Sequence, residues 1–158
     1  MKKLVFIMLG LLFLVGCGQT AENKDEAEEV SGDMETKEVQ LAVETKESPE
    51  SVQINITLKN NTDEEKNFEF SSGQKYEIII TDPNGAEVYK YSKGRMFTQA
   101  LQYLMLPSGE SQTWQETWDK KSAGNKIEAG EYTVTVLLTG KAEGVKALEA
   151  KDKFTVTE

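Results

Sequence analysis

Strict two-residue alternation of apolar and polar side chains is the feature that most constrains the fold. In the stretch SVQINITLKNN, every second side chain is apolar: Val52, Ile54, Ile56 and Leu58. Because successive side chains of a β-strand point to opposite faces of the sheet, this pattern is typical of a strand buried on one face. The same period recurs in VQLAVET, KNFEF, QKYEIII, TWQETW, EYTVTVLL and KDKFTVTE. The sequence therefore predicts seven to nine short strands with little helix.

Turn residues separate these strands. Asn60–Asp63 reads as a turn, and in Asp82–Gly85 the proline and glycine positions favour a tight hairpin over a metal-binding loop. Pro107–Gly109 ends the stretch FTQALQYLML, which fits either a strand or a short helix, and KKSAGNKIEAG is predicted to be a loop. Tyr132 follows a glycine turn, like the tyrosine corner of immunoglobulin-like domains. We expect an all-β fold, an immunoglobulin-like antiparallel β-sandwich.

The first 16 residues predict a lipoprotein signal peptide. Lys2 and Lys3 precede the apolar run Leu4–Val15, which is shorter than the about 20 residues that span a bilayer. Leu14–Cys17 resembles the bacterial lipobox, in which the cysteine is diacylated and the chain is cut just before it. We expect Cys17 to carry a diacylglycerol-type lipid that anchors the chain to the outer, extracytoplasmic face of the cell membrane. The alternative is a signal peptide with an incidental cysteine.

An acidic segment follows the cysteine. Residues 17–36 are rich in carboxylates and lack aromatic side chains, so this segment is predicted to be a flexible tether. A calcium-binding cluster is the alternative, but the segment lacks a ligand loop with a turn glycine. Residues 37–158 are then the single folded domain.

The composition excludes several kinds of chemistry. The chain has no histidine and one cysteine, which rules out Ser-His-Asp and Cys-His catalysis, histidine-ligated metals and an intramolecular disulfide. The net charge of -9 argues against a nucleic-acid partner. Ser72 and Lys75 form the one nucleophile–base pair worth naming, and no predicted helix aligns them. We expect no catalytic site, no metal and no cofactor apart from the lipid on Cys17.

Several short motifs occur in a characteristic order between Phe68 and Trp118. They are FEF, GQKYE, YSK and MFTQA, followed by a glycine, a glutamate and the second tryptophan. In this order and spacing, with weaker flanks over about 39–156, the chain resembles the intracellular proteinase inhibitor (BsuPI) family. The resemblance implies an immunoglobulin-like sandwich that inhibits a subtilisin-type serine protease. The lipobox departs from the cytoplasmic setting of that family, so the expected partner is an extracellular protease.

The segment Gly94–Phe97 is the main candidate for a partner-binding loop. Arg95 is the only arginine of the chain and adjoins the apolar Met96 and Phe97, and arginine and aromatic residues are typical binding anchors. The alternative is that Met96 and Phe97 fold into the core while Arg95 is solvated. If the domain does not inhibit a protease, the alternative function is that of an envelope binding or assembly lipoprotein.

Two further pairs of residues allow a structural or a functional interpretation. Gly73 is expected to supply a turn with positive φ and Gln74 to cap nearby backbone groups, although both could contact a partner. Trp114 and Trp118 share one face of a predicted strand. They fit a hydrophobic core better than a carbohydrate-stacking pair.

Overall fold

The computed structural model describes residues 38–157, and its regular secondary structure is entirely β. The predicted signal peptide, Cys17 and the acidic tether lie outside the described residues. Within the described range, no helix is long and apolar enough to cross a membrane. The strands are β1 (Val39–Glu47), β2 (Val52–Asn60), β3 (Lys66–Phe70), β4 (Tyr76–Thr81), β5 (Glu87–Lys90), β6 (Gln102–Leu106), β7 (Ser111–Trp118), β8 (Lys121–Ser122), β9 (Asn125–Lys126), β10 (Gly130–Leu138) and β11 (Glu149–Val156).

Two antiparallel sheets form the sandwich. One has the strand order β1-β2-β7 and the other has the order β11-β10-β4-β5. Two smaller pairs, β3-β6 and β8-β9, complete the described fold. The expected immunoglobulin-like β-sandwich is thereby confirmed.

The alternating apolar positions of the central strands form the core. On β2 the side chains from Val52 to Leu58 alternate between fully buried and half-buried, as the period-two pattern predicts. They pack against the inward positions of β4 and β10, including Ile78 and Val134. A second apolar cluster includes Phe68, Phe70 and Leu106, and it lies between β2 and the β3-β6 pair.

Local predictions have mixed outcomes. The hairpin turn at Asp82–Gly85 is confirmed: the Gly85 amide donates to the Asp82 carbonyl at 2.9 Å, and Gly85 has a φ of 83°. The ambiguous FTQALQYLML contains a strand, β6, and no helix. The predicted loop KKSAGNKIEAG instead contains the short hairpin β8-β9, because residues 123 and 124 both take positive φ and reverse the chain.

Asn60 is more than the turn residue that the sequence suggested. It is the last residue of β2 and is fully buried. Its side-chain Nδ2 lies 2.8 Å from the carbonyl oxygens of Glu64 and Leu106, and its Oδ1 accepts from the Thr62 amide and hydroxyl at 3.1 and 2.7 Å. Because a buried amide is tolerated only when it is hydrogen-bonded, this set of bonds fixes the end of β2 against β6.

The tyrosine corner is confirmed. The Tyr132 hydroxyl donates to the Glu128 carbonyl at 2.9 Å, four residues upstream, while the ring is buried and stacks on Phe154 at 5.5 Å. This bond is the hallmark of the corner in immunoglobulin-like domains.

Candidate functional site

The candidate loop begins with a tight turn after β5. The Lys93 amide donates to the Lys90 carbonyl at 3.1 Å, and the Arg95 amide donates to the Ser92 carbonyl at 3.2 Å. Gly94 has a φ of 77°, a conformation that glycine adopts without a steric penalty. The turn therefore sends the chain from β5 toward the adjacent edge of the other sheet.

Arg95 holds this loop against β7. Its guanidinium lies 4.0 Å from the centre of the Tyr91 ring, and one nitrogen lies 3.7 Å from Oε2 of Glu116. The other oxygen of Glu116 accepts from the Tyr76 hydroxyl at 2.8 Å. Burial, together with the hydrogen bond to Glu116 and its negative charge, raises the pKa of Tyr76. One carboxylate on β7 thus connects the loop to the inner face of the opposite sheet.

Met96 lies at the exposed point of the loop. Its side chain is 99% exposed, whereas Phe97 is half-buried, with its ring 5.8 Å from that of Tyr91. Both neighbours of Met96 therefore contact the same tyrosine ring, and Tyr91 in turn packs on Tyr76 at 5.1 Å. The interpretation that Met96 folds into the core is wrong, because the two anchored neighbours leave its side chain outward. For Phe97, partial packing is observed.

Gly73 supports the far end of the loop. Its amide donates to the Thr98 carbonyl at 2.9 Å, and a Cβ at this position would lie 2.6 Å from Oγ1 of Thr98. The φ of Gly73 itself is not positive. The predicted reason for this glycine is therefore wrong: close approach of the loop, and not the backbone conformation, requires it.

Gln74 makes its hydrogen bonds within the domain. Its Nε2 lies 3.1 Å from the Tyr76 carbonyl and 3.3 Å from Oε2 of Glu77, while its own carbonyl accepts from the Thr139 hydroxyl at 2.7 Å. The other oxygen of Glu77 accepts from the Ser92 amide at 3.0 Å. The structure thus places Gln74 beside a carboxylate that holds the start of the loop.

Ser72 and Lys75 have separate structural environments. The Ser72 hydroxyl accepts from the Gln74 amide at 3.2 Å. The Lys75 ammonium lies 4.0 Å over the Phe70 ring, and partial burial lowers its pKa. Each side chain thus has a local partner of its own. No catalytic pair is assembled from these contacts.

The tryptophans belong to the core. Trp118 is buried, donates through Nε1 to the Lys121 carbonyl at 3.1 Å and packs on Tyr89 at 5.5 Å. Trp114 is half-buried and packs on Tyr76 at 5.7 Å. This agrees with the core interpretation and leaves no exposed pair for stacking on a sugar.

The sequence interpretation missed an exposed apolar face next to the loop. Leu101, Tyr103 and Met105 are 59%, 60% and 66% exposed, and the latter two lie on β6. With Met96, they are the large apolar residues that residues 38–157 leave strongly exposed, and all of them lie within positions 96–105. Alternation in LQYLML was the available signal, but both faces of this strand are apolar, so the pattern did not reveal which one is buried.

The loop and this face offer apolar, aromatic and cationic contacts. In the described part of the chain, no group of three or more acidic or cysteine side chains could hold a metal ion. Aromatic residues, methionine and arginine are enriched at protein interfaces, so the side chains of this surface suit protein recognition.

Comparisons with solved structures find distant similarity. A β-glucosidase from Kluyveromyces marxianus in complex with glucose matches with a TM-score of 0.46 and 16% identity over 77% of this chain. The sporulation control protein Spo0M from Bacillus subtilis matches with a TM-score of 0.42 and 11% identity over 77% of this chain. The chain spans 14% of that β-glucosidase and 49% of Spo0M.

Comparison with curated proteins finds no match. Comparison with protein families finds one: the family profile described as "BsuPI: Intracellular proteinase inhibitor" matches residues 39–143. The match begins at the first residue of β1 and includes β10. It contains the whole candidate loop and the exposed face of β6. The chain therefore belongs to the BsuPI intracellular proteinase inhibitor family.

Proposed function

We propose that this protein inhibits a subtilisin-type serine protease by placing the loop Ser92–Thr98 in the active-site cleft of the enzyme. Membership of a proteinase inhibitor family supports the inhibition. The single observation that supports this loop as the contact surface is the complete exposure of Met96 between two anchored residues. Methionine is enriched at protein–protein interfaces relative to the rest of the surface.

The anchoring of the loop supports tight binding. Arg95 and Phe97 are already held on Tyr91 in the free protein, and Thr98 is held by the Gly73 amide. Association loses free energy when loops and side chains must be ordered, so a loop that is fixed beforehand loses less. A protease would therefore meet a surface close to its bound conformation.

We also propose that the chain acts outside the cytoplasm, anchored by lipid on Cys17. The lipobox-like Leu14–Cys17 after a basic and apolar start supports this location. Labelling cells with a radioactive fatty acid tests it. Label is expected on the unaltered protein and not on Cys17→Ser, and label that survives the substitution would contradict the anchor.

Residual protease activity tests the inhibition. The full-length chain, purified in mild detergent, is incubated in molar excess with several secreted subtilisin-type proteases. We expect loss of activity, and we expect Arg95→Gln to weaken the inhibition because the loop loses its contact with Glu116. Lys153→Gln is the matched control, since it removes a cation from an exposed ion pair with Glu131 on another strand.

The result can contradict the proposal in two ways. Full protease activity with every enzyme would contradict inhibition, and capture of a partner that is not a protease would then favour an envelope binding role. Equal inhibition by Arg95→Gln and the unaltered chain would contradict the role of the Arg95–Glu116 contact in presenting the loop.

A further inference from the structure

We infer that Met96 is the side chain that enters the primary specificity pocket of the protease, and that this pocket is uncharged and apolar. The inference rests on the proposed function and deepens it. It identifies the specificity-determining residue and the chemistry of the enzyme that this residue fits.

The position of Met96 is the first argument. Its side chain is 99% exposed, and its neighbours on both sides are held on Tyr91, at 4.0 Å for the guanidinium of Arg95 and 5.8 Å for the ring of Phe97. Tyr91 packs on Tyr76, whose hydroxyl is bonded to Glu116. Because the flanking residues are connected to the core, the backbone at Met96 cannot move inward without breaking these contacts. The Met96 side chain therefore protrudes from a backbone segment that is held in place.

The chemistry of the neighbouring cation is the second argument. Within Gly94–Phe97, Arg95 is the one residue that would suit an acidic pocket, as in trypsin-like proteases. Its guanidinium is already engaged by the Tyr91 ring and by Glu116. Presenting it to a protease would require giving up both contacts. Lys93 precedes this segment, in the turn that starts the loop, so the free side chain of Gly94–Phe97 is the uncharged Met96.

The properties of methionine are the third argument. Its side chain is unbranched, flexible and apolar, and it fills irregular apolar spaces well. A hydrophobic slot, as in chymotrypsin-like specificity, gains free energy by removing such a side chain from water. If Met96 entered an acidic pocket, the carboxylate of that pocket would be buried without a partner.

Inhibition constants of four proteins test the inference. The full-length chain, Met96→Ala, Met96→Lys and Met105→Ala are measured against two subtilisin-type serine proteases, one with an apolar primary pocket and one with an acidic pocket. Met105→Ala is the matched control, because Met105 is also exposed, at 66%, but lies on β6.

We expect Met96→Ala to weaken inhibition of the apolar-pocket enzyme by about tenfold or more, which is the loss predicted for removing a buried methionine side chain. Met105→Ala should change the constant less than about threefold, since it leaves the inserted side chain intact. Met96→Lys should abolish inhibition of the apolar-pocket enzyme. It should shift the preference of the inhibitor toward the acidic-pocket enzyme. Since Met96 has no buried contact to lose, all variants should keep the circular dichroism spectrum of the unaltered chain.

The failures are distinguishable. If the unaltered chain inhibits and Met96→Ala inhibits equally well, the assignment of Met96 is overturned while the proposed function stands. If the unaltered chain prefers the acidic-pocket enzyme, the pocket chemistry is overturned. If the unaltered chain neither inhibits either protease nor binds their catalytically inactive forms, the proposed function itself fails and the assignment fails with it.

Discussion

The amide and the hydroxyl of Thr45 both donate to the same carboxylate oxygen of Asp152, each at 2.7 Å. Thr45 lies on β1 and Asp152 on β11, which are edge strands of opposite sheets. One side chain therefore closes this flank of the sandwich. An acceptor that bonds the exposed backbone of an edge strand also makes that edge less available to other chains.

Asp152→Asn is expected to lower the free energy of unfolding at pH 7 by about 1 kcal/mol, because a hydrogen bond to a charged group becomes a neutral one at a partly exposed site. Partial burial raises the pKa of Asp152, but hydrogen bonds from Thr45 and the Lys153 amide outweigh it and hold the pKa below its ordinary value. This stabilisation is therefore present above about pH 4 and is lost as the pH falls through the lowered pKa.

Urea unfolding between pH 2 and 7 measures this effect. The difference between the unaltered protein and Asp152→Asn should shrink below pH 4. Glu149→Gln, which removes an exposed carboxylate paired with Lys151 on the same strand, is the control and should change stability by less than about 0.5 kcal/mol. A difference that persists unchanged to pH 2 would refute the role of the Asp152 charge.

Asn60→Ala is expected to destabilise the fold by about 3 kcal/mol, because the carbonyls of Glu64 and Leu106 lose a donor, the latter in a buried bond. Asn61→Ala is the matched control, since its backbone amide keeps its bond to the Glu38 carbonyl. Thermal unfolding followed by tryptophan fluorescence compares the two. Equal midpoints would show that the Asn60 side chain is not required at the end of β2.

Tyr132→Phe is expected to lower stability by about 1 kcal/mol, because it removes only the hydroxyl that donates to the Glu128 carbonyl. Tyr103→Phe serves as the control, since Tyr103 is 60% exposed on β6. Denaturant midpoints measure both changes. A similar small effect of the two substitutions would mean that the corner bond contributes little.

Gly73→Ala is expected to cost about 2 kcal/mol, because its Cβ would lie 2.6 Å from Oγ1 of Thr98. Adding Thr98→Ala should recover most of this loss, since the next atoms lie at 3.5 and 3.6 Å. A double-mutant cycle of unfolding free energies measures the coupling. Simple additivity of the two substitutions would argue against this contact.

The sequence predicted the strands and their buried positions better than the way in which neighbouring elements pack. Alternation identified the buried positions of β2 and β10 because each of these strands has one clearly apolar face. It did not orient β6, where Leu104 and Leu106 alternate with Tyr103 and Met105, and both faces look suitable for a core. Such an ambiguity is resolved only by the neighbouring elements, here β3.

The candidate site was predictable in composition but not in arrangement. Arg95 and Met96 stood out as an isolated cation and an apolar residue in a loop. The contact of Arg95 with Glu116 joins a loop residue to β7, and the approach of Thr98 to Gly73 depends on how the loop folds back. Local sequence patterns carry no information on such contacts between distant segments.

The loop Ser92–Thr98 contacts β7, whereas the chain enters the domain at β1, on the far side of β2 in the same sheet. Two strand spacings, about 10 Å, therefore separate the entry strand from the strand that the loop contacts. Glu116 is opposite Ile54, and Ile54 is opposite Thr45, so the entry residue Val39 also lies six residues, about 20 Å, farther along β1. We expect lengthening or shortening the segment that precedes β1 to leave the affinity of the loop for an enzyme unchanged.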